Sequence, residues 1–214
     1  MTSRVIAGVA IPGSPIARAA AAKVAASEPD ILFRHAMRVF LFASIIGRRR
    51  GLTVNADLLY ISALFLHAGL SGCCRHSAKR FEVDSANAVH AFLDANGAAA
   101  ADAADAWSAV ALHTSFGIHP YMAPLTALLG AGVETELFGL HFGEVTRAER
   151  EAVLVELPRG PAFEELILEV LGEGMAQRPA TTFGNIGADV LERWDPNFHR
   201  INFCGQVLGS KWKD

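Results

Sequence analysis

Eight histidines occur in the 214 residues. Four of them, His35, His67, His113 and His119, lie in apolar segments or at expected helix ends. An imidazole taken out of water needs a hydrogen bond or a metal, because an unpartnered buried polar group costs about 1 to 3 kcal/mol. The sharpest case is Leu64-Phe65-Leu66-His67-Ala68-Gly69-Leu70, where an apolar run from Leu58 ends in a histidine and soon a glycine. His35 stands among Leu32, Phe33, Val39 and Phe40, so burial is expected there too. Two such histidines on consecutive antiparallel helices can reach one ion, imidazole being the commonest metal ligand. The plain alternative is a pair of satisfied core histidines.

A carboxylate is the natural third ligand. Glu134 and Glu136 follow a glycine in an otherwise apolar stretch, so at least one should point inward, and Glu134 reads as the solvated turn residue. Cys73-Cys74-Arg75-His76 lacks the spacer of a zinc site and reads as loop. His90 reads as a helix-surface residue. Arg80, Glu82 and Asp84 suggest an ion-pair network or a wall of the site, and Trp107, Phe116, Trp194 and Phe203 read as core.

The positioning elements are almost all helical. An extended arm, residues 1–16, is expected to end in Pro12-Gly13-Ser14, with a helix from Pro15 through 17–27. Asp30 can cap a helix over Ile31 to Gly47, and Asn55 or Asp57 one that runs to about His67. After a polar loop over 71–82, Asp84 or Ser85 caps a helix closed by Asn96-Gly97. The next helix carries Asp102, Asp105 and Trp107, with His113 near its end. A helix from Pro124 is expected to stop at Gly130. Thr146-Arg147-Ala148-Glu149 is a capping box, and further helices are expected over 147–157, 161–172 and 189–194. With no linker and no repeat, the sequence predicts a single all-α domain, a helical body over 17–214 behind the arm.

Composition narrows the function. Hydrophobic residues make up 51% and charged residues 19%, too apolar for a disordered chain. A net charge of −3 offers no basic surplus for nucleic acid. Arg48-Arg49-Arg50-Gly51 reads as a helix C-terminus, where cations complement the dipole. No apolar stretch approaches the roughly 20 residues of a membrane span. The first ten residues lack a signal-peptide core, and three cysteines make a poor disulfide framework. A cytoplasmic protein acting on a small molecule is expected, without nucleic-acid or membrane partners, and a homo-oligomer remains open.

Several pieces together resemble the HD-domain superfamily of helical metal-dependent hydrolases, and within it the cyanamide hydratase branch. They are His35 on its apolar helix, Gly47-Arg48-Arg49-Arg50-Gly51, Asn55 to Tyr60, the run into His67, Arg80 to Ala88, Ala111-Leu112-His113-Thr114-Ser115 and Ala131 to Gly139. The resemblance runs from about residue 11 to near Phe203. It implies an HD-type helical bundle with a histidine, a His-Asp pair and a distant aspartate around a divalent ion. His35 matches the first histidine. Counting back from Gly69 without a gap puts Leu66 and His67 on the pair, whereas a one-residue slip puts His67 and Ala68 there. Glu136, three before Gly139, stands on the distant aspartate.

The resemblance therefore implies one divalent metal, zinc first and iron or manganese next, held by His35, His67 and Glu136. His113, with His119 as a weaker candidate, would orient substrate or move a proton. The implied reaction is addition of water to a small nitrile-like substrate, cyanamide to urea, impaired by the degenerate pair. The alternatives are an HD-type phosphohydrolase and a catalytically silent HD-fold binding protein.

Overall fold

The computed structural model describes residues 4–212; the first three residues of the expected arm and the last two of the tail lie outside the described residues. The arm is a hairpin. Strands β1 (Val5–Ile6) and β2 (Val9–Ala10) pair antiparallel, Val5 opposite Ala10 and Ile6 opposite Val9. Ala7 and Gly8 both take positive φ, 48° and 72°, the sense that lets a two-residue turn follow the twist of its strands. Alanine does not advertise that conformation, so the turn is not evident in the sequence.

Ser14 caps α1 (Pro15–Ser27) by accepting from the Ala17 amide. α2 (Asp30–Arg50) runs past Gly47 and stops at Gly51, whose φ of 66° is left-handed. Its last-turn arginines fasten neighbouring segments: Arg48 donates to Gly8 O, Arg49 to Glu149 and Arg50 to Glu144. Asn55 caps α3 (Ala56–Leu64), its Oδ1 accepting from the Asp57 and Leu58 amides. α4 (Phe81–Ala95) begins before the expected cap, so Asp84 lies inside its first turn, and α5 (Ala100–Ala111) follows.

The largest departure is α6 (Pro124–Phe138), which passes through Gly130 and Gly132 and ends at left-handed Gly139. Those two glycines are close-approach positions and not helix stops. A Cβ on Gly130 would overlap the His119 ring, and one on Gly132 would stand 2.6 Å from Val39 O of α2. Glu134 and Glu136 consequently lie on a buried helix. α7 (Arg147–Glu156) carries the expected capping box between Thr146 and Glu149.

α8 (Phe163–Met175) passes Gly172, against which Trp194 packs, and α9 (Ile186–Trp194) starts at an Asn185 cap. α10 (Phe203–Leu208) was not expected. Phe203 on it is 71% exposed, so it is not core.

The fold is all-α. α2 packs on α6, α4 on α5 and α8 on α9. One large core fills the body, and a smaller one, including Leu32, Phe81, Phe163 and Ile167, joins α8 and α9 to it. His35, His67 and His113 meet where the α8–α9 pair packs on the body.

Candidate functional site

His67 is delivered by a clamped turn. α3 stops at Leu64, and a short 3-10 turn, Ala68–Leu70, follows His67. A Cβ on Gly69 would overlap the Phe81 carbonyl, so glycine is required where the turn meets α4. The Gly69 amide donates to Ser85 Oγ at 2.9 Å. Its carbonyl accepts from Arg178 Nη2, and Arg178 Nη1 donates to Asp84 Oδ2 at 2.7 Å. This turn puts His67 on the wall of a cavity, while Leu66 is fully buried in the large core and is not on that wall.

The cavity, about 450 Å³, lies between the body and the α8–α9 pair. His35, His67 and His113 line it together with apolar side chains that include Phe81, Val133 and Phe163, and Arg159, Glu164 and Asp189 bring charged groups to the same wall. The His35 and His67 ring centres are 5.2 Å apart and those of His67 and His113 6.0 Å apart. Phe81 stacks on His67 and meets His113 edge-on. Phe116 and Phe138, partly exposed and edge-to-face at 5.1 Å, mark the open side, so Phe116 borders the cavity and is not core.

Glu136 stands behind this wall and is not on the cavity surface. Oε2 is 2.6 Å from His35 Nδ1, and Oε1 accepts from Arg38 Nε at 2.7 Å. His35 and Arg38 are three residues apart on α2 and so share a face. All three side chains are about 1% exposed. Burial alone would raise the Glu136 carboxyl, but His35 and then Arg38 hold it down at about 2. Arg38 also lies over the Phe163 ring at 4.8 Å.

The other two rings are neutral in character. Burial, helped by His35 and His113, pushes His67 well below its ordinary range. Burial also lowers His113 against the pull of Glu82. His113 Nδ1 is 2.6 Å from Val110 O; a carbonyl can only accept, so this nitrogen carries the proton. His113 Nε2 and His67 Nδ1 are buried and have no hydrogen-bond partner among the described residues. Glu82, fully buried, is held by Arg80 at 2.8 Å and by the Thr114 hydroxyl at 2.5 Å, and Arg80 and Glu82 form the expected network behind the wall.

His119 is elsewhere. It is 1% exposed in the 3-10 turn His119–Tyr121, against Gly130, and is not on the cavity wall. Its Nε2 lies 3.0 Å from Glu134 Oε1, close enough for an ion pair but off the line of a hydrogen bond. His141 Nε2 reaches Glu134 Oε2 at 2.8 Å. Glu134 is therefore a buried bridge on α6 and not a turn residue, since the helix that holds it does not end at Gly130.

The ligand set expected for a divalent ion does not fit this arrangement. Among the described residues no three His, Cys, Asp or Glu side chains are grouped to hold an ion. Both oxygens of Glu136 are taken, one by His35 and one by the Arg38 cation, and Glu136 does not line the cavity. Residues that sequence reasoning passed over do this work: Arg38 neutralises Glu136, and Arg178 fixes the His67 turn. Arg38 shares a helix face with His35 but shows its role only opposite Glu136, and Arg178, distant in sequence, gave no signal. No protein-family model matches the chain, and no curated protein matches it. No helix among the described residues is long and apolar enough to cross a membrane.

Proposed function

We propose that the chain is an HD-type, cyanamide hydratase-like framework turned to ion-free binding of a small molecule in the histidine-lined cavity. The observation that supports this best is the division of labour at its inner end. Glu136 is neutralised by Arg38 behind the wall, while His67 and His113, each with a buried and unpartnered ring nitrogen, stand on the wall of a mainly apolar cavity large enough for a small ligand.

Protein purified without chelator should carry less than about a tenth of an equivalent of zinc, iron or manganese. It should release no urea from cyanamide above the buffer rate. N-phenylnaphthylamine, an uncharged fluorescent probe, should bind one per chain, and Val133→Phe, which fills the cavity, should weaken it. Absence of probe binding by the unaltered chain overturns the reading.

A second reading, metal-dependent hydration of a nitrile-like substrate, draws on the 5.2 Å approach of the His35 and His67 rings and on the unpartnered His67 Nδ1. Stoichiometric metal together with urea release would establish it in place of the first. Phosphomonoester hydrolysis has less support, because Arg38 is already committed to Glu136 and the arginine on the cavity wall, Arg159, is engaged by Glu136 O and the Glu164 carboxylate.

A further inference from the structure

Cys73 and Cys74 are not on the cavity wall; they lie on the short 3-10 turn Gly72–Cys74 that comes after the His67 turn. The Cys74 amide closes this turn by donating to Ser71 O at 2.9 Å. Adjacent residues of such a turn point about 120° apart, yet the two side chains converge until their sulfurs are 3.6 Å from each other. Both thiols are free, Cys73 exposed and Cys74 half-buried. Cys73 Sγ also lies 3.1 Å from the Ser71 hydroxyl.

That separation suits one kind of bonding. Two bonds of about 2.3 Å from sulfur to a thiophilic atom, meeting at about 100°, hold the sulfurs about 3.5 Å apart. A disulfide would have to draw the same atoms in to about 2.05 Å. A four-coordinate zinc ion would need two further ligands, and among the described residues no three His, Cys, Asp or Glu side chains are grouped to hold an ion. Protonation adds to the choice. Burial, then the neighbouring Cys73, push the Cys74 thiol up to about 11, so the pair keeps a proton at neutral pH. A bare cation must expel that proton before it can bind. A thiophile that arrives carrying hydroxide groups removes the thiol protons as water.

We propose that Cys73 and Cys74 form a chelating dithiol site for a trivalent arsenical that bears one organic group. Two As–O bonds and two S–H bonds break, two As–S bonds form, and two water molecules leave; arsenic stays trivalent and no electron is transferred. The third bond of arsenic remains with its organic group, so no third side chain is needed. Cys204, the exposed thiol of α10, stands outside the pair and can form a single As–S bond only.

Phenylarsine oxide, which hydrates to the dihydroxy form in water, tests this on the full reduced chain. Intact mass should show one adduct per chain that withstands excess glutathione, a monothiol, and is stripped by dimercaptopropanol, a dithiol. Iodoacetamide added afterwards should label Cys204 alone. Cys73→Ser and Cys74→Ser should each weaken retention at least about hundred-fold, the loss expected when a second bond no longer closes within one molecule. Cys204→Ser should leave it unchanged. An adduct that glutathione removes, or that persists in Cys73→Ser or in Cys74→Ser, overturns the proposal. So does stoichiometric zinc that the unaltered chain retains and Cys73→Ser loses, because the pair would then belong to a four-coordinate ion site.

Discussion

His35 Nδ1 and Glu136 Oε2 meet at 2.6 Å across a sequence separation of 101, and Arg38, on the same face of α2 as His35, closes the opposite oxygen of that carboxylate. A guanidinium thus supplies the positive charge next to the carboxylate expected to hold an ion. Glu136→Gln should leave Arg38 buried and unpaired and destabilise the fold by about 3 to 5 kcal/mol, the usual result of removing one partner of a buried pair. Urea unfolding at neutral pH measures it; a loss below about 1 kcal/mol would mean that Arg38 finds water or another acceptor.

The same carboxylate gives an acid limb. Its folded value of about 2 lies below the ordinary 4.5, so the unfolded chain binds more protons in that window. Stability from this group is fully present above pH 4.5 and is lost as pH falls toward about 2. The slope of unfolding free energy against pH in that range should shrink in Glu136→Gln.

The buried rings act at higher pH. His67 and His113 are held below the ordinary 6.5 in the folded chain, so below that pH the unfolded state takes up protons the native state refuses. Stability should already decline as pH falls from 6.5, before the carboxylate limb begins. His67→Phe, which can keep the stack on Phe81, should flatten this part of the profile. An unchanged profile would show that His67 is free to charge when folded.

Reading the sequence succeeded where local chemistry decides. The Asn55 cap, the Thr146 capping box, the basic end of α2 and the burial of His35 and His67 are all written in short-range residue types. It failed at Gly130 and Gly132, which have the composition of a helix stop and the function of a close approach. What distinguishes the two is the His119 ring and Val39 O, neither of which is near in sequence. Truncating α6 at Gly130 also misplaced Glu134. Of the candidate site, the histidine wall was legible. The arginines were not, because Arg38 declares its role only once Glu136 is across from it.

The register of the pair can be tested directly. Leu66→His with His67→Asp rebuilds a His-Asp pair in sequence, yet Leu66 is packed in the large core while His67 faces the cavity. The double variant should therefore bind no zinc and lose about 2 to 5 kcal/mol from a polar ring replacing a core leucine. Stoichiometric zinc by elemental analysis would show that the turn rearranges to the gapless alignment.

Glycine substitutions separate close approach from mere turns. Gly130→Ala gains helix propensity of about 1 kcal/mol, but its methyl overlaps the His119 ring. A net loss of about 1 to 3 kcal/mol is expected from overpacking. Gly143→Ala, with nothing within 4 Å of its added Cβ, should be neutral or slightly stabilising. Thermal melts of the two variants side by side provide the comparison.

Glu134 and Glu136 are two positions apart on α6, so successive 100° steps aim them to opposite sides of one rod. Glu134 is gripped by His119 and His141 on one side, and Glu136 by His35 and Arg38 on the other. Rotation of this helix about its own axis cannot release one carboxylate while leaving the other in place. The same rod is thus pinned on two faces, by His119 and His141 outside and by His35 and Arg38 inside, so the orientation of Val133 on the cavity wall is fixed from both sides.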